Sequence, residues 1–447
     1  MTRKLFGTDG VRGVAGEFLT AELALALGAA ATRNARAASS SQGERPQVLI
    51  VRDTRESGEM LQAALAAGVS AAGGDALLGG VLTTPAAPLL IHRYGFQLAA
   101  VISASHNPYR DNGIKFFAGD GYKLSDEAEL AIERELDAAP AAPGGAPAIG
   151  RIRELRGAPE DYLRELHVRF RELDLDGVDV LLDCANGATY QVAPEIFRRL
   201  GANVSVIADT PDGCNINAGC GSTHVEELTR RVLADGHALG FAFDGDGDRV
   251  LAVDRRGVLV DGDELMALAT LHLRASGRLS GNGVAVTVMT NYGFHAAMER
   301  EGVQVGTTQV GDRYVLEELR ARGWTLGGEQ SGHIIDMGFN RTGDGIASAL
   351  LTLEALDGRD LSARDAMSKL PQRLVNVRVR DRGALEHAQE VDAAVHAAGV
   401  ELAGRGRVLV RSSGTEPLVR VMVEAPTDEE AEAVCGRLVA VVERELA

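Results

Sequence analysis

A short polar segment that follows an apolar run carries side chains suited to catalysis. The run "LAAVI" leads into "SASHNPYRDNGIKFF", which brings Ser103, Ser105, His106 and Lys115 close together along the chain. A hydroxyl, an imidazole and an ammonium group have no evident role in a core, and ligands are most often bound by loops on a rigid scaffold. The segment therefore predicts a ligand-binding loop at the end of a strand.

A second apolar run ends in an acidic turn. In "LGFAFDGDGDRV", glycines separate Asp244, Asp246 and Asp248. Alternate residues of an extended chain point the same way, so the three carboxylates are expected to converge. Such a cluster is costly without a cation, and all-oxygen ligands favour Mg²⁺ or Ca²⁺. An EF-hand is excluded because its Gly and Glu positions fall on Arg249 and Arg255, whereas an aspartyl-phosphate enzyme using Asp244 stays open.

Three further loops suit an anionic or sugar ligand. "VRSSGTEPLVRV" offers main-chain N–H groups, hydroxyls and guanidinium groups to a phosphate, through Arg411, Ser413, Gly414, Thr415 and Arg420. "LGGEQSGHII" offers a carboxylate, an amide and a hydroxyl to sugar hydroxyls or an amine, through Glu329, Gln330, Ser331 and the neighbouring His333. "LFGTDGVRG" places Arg12 among glycines and is weak evidence alone. Arg249 either neutralises the carboxylates beside it or reaches a substrate phosphate.

The elements that must position these loops repeat one pattern. Apolar runs at 48–53, 178–183 and 284–289 are each followed by a polar turn, a helix and another strand. This is a βαβ signature, and continuous apolar strands imply sheets covered on both faces. We predict three related α/β domains with mixed sheets, at 1–150, 151–253 and 254–370.

The pattern changes at the C-terminal end. Residues 371–447 read as a smaller β-α-β-β-α domain, with a helix over 385–399 and a final helix opened by a capping box from Thr427 to Glu430. A Pro/Gly/Ala-rich stretch at 138–150 reads as a connector between the first two domains.

Composition sets limits on partners and location. The 447 residues carry 46 Lys and Arg against 63 Asp and Glu, a net charge of −17, so we expect neither a nucleic acid nor an anionic membrane as partner. Four scattered cysteines without a C-x-x-C pair argue against a zinc site or disulfides. The sequence shows no secretion signal and no apolar run of about 18 residues, which predicts a cytoplasmic protein. A homodimer is left open.

Taken together, these segments resemble the α-D-phosphohexomutase superfamily. "FGTDGVRG", "SASHNPYRDNGIKFF", "CANGATY", "FDGDGDRV", "GEQSGH" and "SGTEPLVRVMVE" follow one another in the expected order along the whole chain. Within the superfamily the chain most resembles the bacterial phosphoglucosamine mutases, because phosphomannomutase/phosphoglucomutase enzymes usually carry Met at the position of Gln330.

The resemblance implies four domains around a central cleft and roles for the loops. Ser105 would be phosphorylated, with Ser103 only a neighbour. One Mg²⁺ would be held by a phosphoserine oxygen of Ser105 and by Asp244, Asp246 and Asp248. The "RSSGTEP" loop would bind the non-reacting phosphate, the "GEQSGH" loop would contact sugar hydroxyls, and His106 and Arg249 would contact the substrate.

The implied reaction interconverts glucosamine 6-phosphate and glucosamine 1-phosphate, which feeds UDP-N-acetylglucosamine and cell-wall precursor synthesis. Phosphorylated Ser105 would donate to O1, giving glucosamine 1,6-bisphosphate as intermediate and activator, and the 6-phosphate would return to Ser105. Lys115, Arg12 and Arg249 can offset the charge of the transferring group. Lys115 or His333 would take the proton from the attacking hydroxyl.

Three alternatives accompany this interpretation. The first is a sister mutase acting on mannose or glucose phosphates. The second is an aspartyl-phosphate phosphatase that uses Asp244. The third is a non-enzymatic module that binds a divalent cation or a sugar, which would give no reason for a Ser-His-Asn loop beside a phosphate-type loop.

Overall fold

Four β-sheets organise the chain in the computed structural model, which describes residues 4–7, 9–38, 45–137, 149–412 and 417–447, apart from the side chains of Arg382 and Glu386. Three sheets are mixed, and the fourth has three antiparallel strands. This confirms the predicted fold class. By compactness the chain divides into a larger unit, Met1–Val288 with Gly306–Arg364, and a smaller unit, Met289–Val305 with Asp365–Ala447.

The first sheet carries the serine segment. Its strand order is β1-β5-β4-β2-β3-β6, with β1 Val11–Val14, β2 Gln47–Arg52, β3 Asp75–Val81, β4 Leu98–Ile102, β5 Asp111–Ala118 and β6 Ile152–Glu154. The helices are α1 Ala21–Ala38, α2 Ser57–Ala71, α3 Ala86–Tyr94 and α4 Asp126–Asp137. Val48, Leu49, Ile50 and Val51 are all fully buried. Since successive side chains alternate between the faces of a strand, both faces of this sheet are covered.

The second sheet carries the acidic turn. Its order is β11-β10-β9-β7-β8, with β7 Asp179–Asp183, β8 Asn203–Ile207, β9 Leu239–Phe243, β10 Val250–Asp254 and β11 Leu259–Val260. The helices are α5 Ala158–Arg169, α6 Val192–Arg199 and α7 Glu226–Asp235. Strand β9 runs parallel to β7 and antiparallel to β10, so the Asp-bearing turn is the tight connection between β9 and β10.

The third sheet carries the "GEQSGH" loop between its last two strands. Its order is β13-β12-β14-β15, with β12 Gly283–Thr287, β13 Gln304–Thr308, β14 Leu326–Gly328 and β15 Ile334–Asp336. The helices are α8 Gly262–Ala275, α9 Tyr292–Arg300, α10 Asp312–Arg322 and α11 Gly345–Leu356. Asp261 and Asp344 cap helices α8 and α11 by accepting main-chain N–H groups of their first turns.

The fourth sheet follows the predicted β-α-β-β-α order. It contains β16 Gln372–Arg378, β17 Arg407–Ser412 and β18 Leu418–Glu424, with helices α12 Gln389–Glu401 and α13 Asp428–Leu446. The helix predicted over 385–399 is instead a 3-10 helix at Arg382–His387 followed by α12, because Ala388 has a non-helical ψ of 79°. Thr427 caps α13 as predicted, since its Oγ1 accepts the Glu430 N–H at 3.2 Å.

Three sequence predictions concern parts of the chain outside the candidate site. Of the predicted connector at 138–150, residues 138–148 lie outside the described residues. Among the helices that the structure describes, none combines the length and apolarity needed to span a bilayer. The four cysteines are all unpaired.

Candidate active site

Ser105 lies in the polar turn that follows the buried strand β4, which ends at Ile102. Its φ of 53° is left-handed, a conformation that costs an L residue about 1–2 kcal/mol and therefore needs support from its surroundings. The Ser105 Oγ donates to Asp244 Oδ2 at 2.5 Å and lies 3.3 Å from His106 Nδ1. Ser103 is turned inward, where its Oγ donates to Asp53 at 2.6 Å. The hydroxyl facing the acidic turn is thus that of Ser105.

The three aspartates converge, as the sequence predicts, but a turn and not an extended strand brings them together. One carboxylate oxygen from each of Asp244, Asp246 and Asp248 lies within 4.8 Å of the others. Gly247 has a φ of +73°, and a Cβ there would lie 2.6 Å from a side-chain carbon of Thr189. The glycine therefore permits both the turn and its close packing.

The carboxylates differ in their protonation equilibria. Burial, and then the negative charges of Asp248 and Asp246, raise the pKa of Asp244 well above its usual value. For Asp248 burial acts upward too, but the neighbouring His333, Lys115 and Arg249 outweigh it and lower the pKa. The cluster is thus a site where carboxylate charge is only partly compensated by the protein.

Lys115 supplies the nearest positive charge. Its Nζ lies 2.8 Å from Asp246 Oδ2, 3.6 Å from Asp9 Oδ2 and 3.8 Å from Asp248 Oδ2. Burial alone would lower the pKa of Lys115, but the carboxylates of Asp246, Asp9 and Asp248 outweigh burial and raise it. The Lys115 side chain is therefore an ammonium group in this arrangement.

Asp9 connects Lys115 to two further cations. Arg12 donates to Asp9, and Lys123 bridges Asp9 and Asp312. These contacts place Arg12, from the N-terminal loop, in the same charged network as Lys115. Of the "FGTDGVRG" segment, Thr8 lies outside the described residues.

The "GEQSGH" loop packs against the acidic turn. The Val250 N–H donates to Gly332 O at 3.1 Å, and the Gly262 N–H donates to Gln330 O at 3.0 Å. His333 Nδ1 lies 3.6 Å from Asp248 Oδ2. Burial lowers the pKa of His333, but Asp248 and Asp312 outweigh burial and raise it. The Gly343 N–H also lies 3.1 Å from His333 Nε2.

The other loop residues take different environments. Glu329 is buried and its Oε1 accepts the Gly311 N–H at 3.0 Å. Gln330 Nε2 donates to Asp261 Oδ2 at 3.3 Å. Ser331 is exposed.

Arg249 and His106 complete the group near Ser105. The Arg249 N–H donates to Asp244 Oδ1 at 3.2 Å, and its Nε lies 3.9 Å from Asp248 Oδ1. Burial and the cations of Arg249 and Arg12 lower the pKa of His106 to about 4. His106 is thus a neutral imidazole beside the Ser105 hydroxyl.

The predicted phosphate loop belongs to the smaller unit. Arg411 on β17 and Arg420 on β18 are cross-strand partners, and burial together with the charge of Arg420 lowers the pKa of Arg411. Within the described residues the buried Arg420 Nε has no hydrogen-bond partner. Two adjacent guanidinium groups of this kind suit an anion. Ser413, Gly414 and Thr415 lie outside the described residues.

Comparison with known proteins assigns nearly the whole chain to one group. Four family models match, all described as phosphoglucomutase/phosphomannomutase: alpha/beta/alpha domain I at residues 3–142, domain II at 160–257, domain III at 261–374 and the C-terminal domain at 374–441. The phosphoglucosamine mutase of Moorella thermoacetica is 52% identical over 442 residues, covering 97% of this chain and 98% of the relative. That of Bacillus subtilis is 47% identical over 449 residues, covering 99% of each chain.

The chain belongs to the phosphoglucosamine mutase family.

Solved structures share the fold of this phosphohexomutase. A phosphoglucomutase/phosphomannomutase family protein from Burkholderia thailandensis has a TM-score of 0.83 at 24% identity, covering 99% of this chain and 97% of that one. The N-acetylphosphoglucosamine mutase of Aspergillus fumigatus, in complex with GlcNAc-6P and magnesium, has a TM-score of 0.70 at 19% identity, covering 100% and 96%. Membership of this isomerase family sets aside the phosphatase and the non-enzymatic alternatives.

The donor set of the mutase fits a divalent cation. All the ligand atoms are carboxylate oxygens, which Mg²⁺ prefers. Within the described part of the chain, the buried Oδ1 atoms of Asp246 and Asp248 have no hydrogen-bond partner. Buried polar atoms are nearly always paired, so two unpaired carboxylate oxygens in one cluster indicate a missing partner.

Sequence reasoning did not identify several residues that shape this site. Asp53 and Arg55 follow strand β2, and Thr84 follows β3 and donates to Asp246 Oδ2 at 2.5 Å. Asn217 reaches Ser105 from the second sheet. For Asp53 and Arg55 a signal existed, since β2 runs parallel to β4 and the carboxyl ends of parallel strands meet at one sheet edge.

We expect Asp246→Asn to weaken Mg²⁺ binding by about tenfold or more, because the cluster loses a charge and a ligand. The measurement is the Mg²⁺-dependent rise of the thermal unfolding midpoint, since a ligand at 100 times its Kd stabilises the native state by about 2.7 kcal/mol. Asp183→Asn is the control: Asp183 is a buried carboxylate of β7 that accepts the Ala185 and Gly221 N–H groups. Half-saturation at the same Mg²⁺ concentration in Asp246→Asn and wild type would show that Asp246 is no ligand.

Proposed function

We propose that the chain is a phosphoglucosamine mutase that interconverts glucosamine 6-phosphate and glucosamine 1-phosphate through phosphorylated Ser105. The observation that carries this is the Ser105 Oγ, 2.5 Å from Asp244 in a cluster of three buried carboxylates. Curated relatives at about half identity over nearly the whole chain support the substrate. The Aspergillus complex with GlcNAc-6P and magnesium supports both an amino-sugar phosphate and Mg²⁺.

The chemistry is a phosphoryl exchange that begins and ends at Ser105. The phosphoryl group leaves Ser105 Oγ for O1 of glucosamine 6-phosphate, the O1 proton passes to a base, and Ser105 Oγ takes a proton. The resulting glucosamine 1,6-bisphosphate turns over and returns its 6-phosphoryl group to Ser105 Oγ, which gives up its proton while O6 takes one. Mg²⁺ bound by the phosphoserine and by Asp244, Asp246 and Asp248 would polarise the transferring group.

Fixed cations offset the charge of the phosphoryl group. Lys115, held as an ammonium beside Asp246, and Arg249, beside Asp248, are both connected to the cluster that Ser105 faces. Arg12 joins them through Asp9. Phosphoryl transfer depends mainly on such positioning and charge compensation.

Lys115 and His333 are the two candidates for the general base. Lys115 would have to lose its proton against the attraction of three carboxylates. His333 would have to release the Gly343 N–H from Nε2 or act through Nδ1 beside Asp248.

The sugar-binding role falls to His106, Glu329, Gln330 and Ser331. Because the Asp261 carboxylate only accepts hydrogen bonds, it fixes the NH₂ end of the Gln330 amide. The Gln330 carbonyl oxygen then points away from Asp261 and is available to the ammonium group of glucosamine. This favours glucosamine 6-phosphate over mannose 6-phosphate and glucose 6-phosphate, the substrates of phosphomannomutase and phosphoglucomutase. Comparing the turnover of the three hexose 6-phosphates would distinguish these substrates.

The non-reacting phosphate is assigned to Arg411, Ser413, Gly414, Thr415 and Arg420. The paired arginines of β17 and β18 support this assignment. The proposal includes domain boundaries at 150, 253 and 370 and a cytoplasmic location. It also includes glucosamine 1,6-bisphosphate as the activator. A homodimer remains a hypothesis that light scattering tests.

Ser105→Ala should lower mutase turnover by about four orders of magnitude or more, the scale of losing a nucleophile that acts with its partners. Turnover is measured in a coupled assay with glucosamine 6-phosphate and a trace of the bisphosphate, and the phosphate is located by peptide mass spectrometry. Ser103→Ala is the comparison and should still carry phosphate on Ser105. Wild-type turnover in Ser105→Ala would end the phosphoserine mechanism.

Gln330→Met should reduce the preference for glucosamine 6-phosphate over glucose 6-phosphate by about tenfold in kcat/KM, the value of one hydrogen bond. The control is Gln62→Met on helix α2, whose amide bonds to Arg52. An unchanged kcat/KM ratio in Gln330→Met would remove Gln330 from amine recognition.

Arg420→Ala should raise KM for both monophosphates by about one to two orders of magnitude, because a hydrogen bond to a charged group contributes about 1.5–3 kcal/mol. Release of free bisphosphate from labelled substrate should rise as well. Arg405→Ala, which removes a surface contact to Glu430 in the same unit, is the control. Unchanged affinity and unchanged release would make the β17–β18 loop a structural turn.

A further inference from the structure

Arg55 lies just after the end of strand β2, the neighbour of β4. Its side chain is completely buried against residues 103–111, the loop that carries Ser105. Its Nε donates to Asp53 Oδ2 at 2.8 Å. Its two terminal nitrogens donate to four main-chain oxygens of the loop, those of Ser105, Asn107, Pro108 and Asp111. A guanidinium group has five N–H donors, so every donor of Arg55 has an acceptor, and four of the five hold the loop.

The orientation of Arg55 is itself fixed. Asp53 accepts the Arg55 main-chain N–H with Oδ1 at 3.1 Å and the Arg55 Nε with Oδ2. Asp53 Oδ2 also accepts the Ser103 Oγ at 2.6 Å, and the Ser103 Oγ accepts the Ser105 N–H at 2.9 Å. The main-chain N–H and C=O of Ser105 are therefore both tied to the same buried ion pair.

Asn217 holds the same loop from the segment between β8 and α7. Its Nδ2 donates to Ser105 O at 2.9 Å and to Asn107 O at 3.2 Å, the two oxygens that the Arg55 Nη2 also contacts at 2.9 Å. Asn217 has a left-handed φ of 57°, and its N–H donates to Ala185 O. The segment that presents Nδ2 is thus itself anchored.

We propose that Arg55 and Asn217 are positioning residues that form a carbonyl clamp: two side chains that hold the Ser105 and Asn107 carbonyl oxygens. The clamp keeps Ser105 in its left-handed conformation, which aims Oγ at Asp244. It acts on the rate of phosphoryl transfer and not on substrate affinity, because neither side chain is assigned a substrate contact. The inference rests on the proposed role of Ser105.

The donor count explains why the clamp needs arginine. Lysine keeps the charge beside Asp53 but has three donors around one nitrogen, so it cannot reach four oxygens spread over the loop. Arg55→Lys therefore tests geometry with the charge retained. Asn217→Gly removes the second donor without straining the main chain, because glycine adopts a φ of this sign readily.

A matched control exists elsewhere in the larger unit. Arg364 also pairs with a fully buried aspartate, Asp254, at 2.9 Å and also donates to a loop carbonyl, that of Leu361. Arg364→Lys should lower stability as Arg55→Lys does, but it should leave phosphoryl transfer unchanged.

The experiment measures single-turnover transfer from glucosamine 1,6-bisphosphate to unphosphorylated enzyme by intact-protein mass spectrometry, together with kcat, KM and the unfolding midpoint. We expect Arg55→Lys and Asn217→Gly each to slow transfer and kcat by about a hundredfold, the usual effect of a small misplacement of a reacting group. KM should change by less than about threefold, and Arg364→Lys should match wild-type transfer.

The outcomes separate the two proposals. Transfer within about threefold of wild type in folded Asn217→Gly and Arg55→Lys overturns the clamp; if Arg55→Lys does not fold, Asn217→Gly decides alone. A parallel rise of KM would also overturn it, since the residues would then act on binding. Failure of wild-type enzyme to accept phosphate on Ser105 would overturn the proposed function, and the clamp would fall with it.

Discussion

The repulsion among three buried carboxylates is the constraint on which the larger unit depends. Asp244, Asp246 and Asp248 lie at one turn of the second sheet, and like charges at this separation repel strongly unless they are compensated. The compensating groups are Arg249 at the end of the same turn, Lys115 from the first sheet and His333 from the third. The electrostatics of one turn therefore require that the loops of three sheets meet.

The left-handed conformation of Ser105 is a second constraint. Hydrogen bonds stabilise this conformation, whereas positively charged side chains offset the repulsion among the three carboxylates. A left-handed serine persists only if its surroundings over-determine it. Here Ser103 holds its N–H, and Arg55 and Asn217 hold its carbonyl oxygen. Asn217 lies in the segment between β8 of the second sheet and α7. The part of the chain that carries the carboxylates therefore also holds the serine that faces them, which favours a short contact between Oγ and the carboxylate.

Local sequence patterns predicted those strands and turns whose conformation depends on residues adjacent in the chain. Strand β4 begins and ends where its apolar run predicts. The glycines of the acidic turn predicted a tight bend, and Gly247 has the left-handed φ of such a bend. The aspartates converge as predicted, but not because alternate residues of an extended chain point the same way. They converge in a turn that contains the left-handed Gly247. The position of Arg55 after β2 was a signal that a ligand-facing residue could lie there, but the partners of Arg55 and Asn217 are carbonyl oxygens, which the side-chain pattern does not specify. The 3-10 helix before α12 was missed because Asp381 caps a short turn that helix periodicity does not encode.

The charge balance of the site argues for a cation from outside the chain. An electrostatic network joins six carboxylates, those of Asp9, Asp244, Asp246, Asp248, Asp312 and Glu329, to four cations, Arg12, Lys115, Lys123 and Arg249. His333 contacts two of these carboxylates, with Nδ1 3.6 Å from Asp248 Oδ2 and Nε2 3.8 Å from Asp312 Oδ2. Carboxylates outnumber the arginine and lysine side chains in this network, and a phosphoryl group on Ser105 would add further negative charge. In a chain of net charge −17, a divalent cation bound by the three aspartates would reverse the local sign of the potential where the phosphoryl group must move.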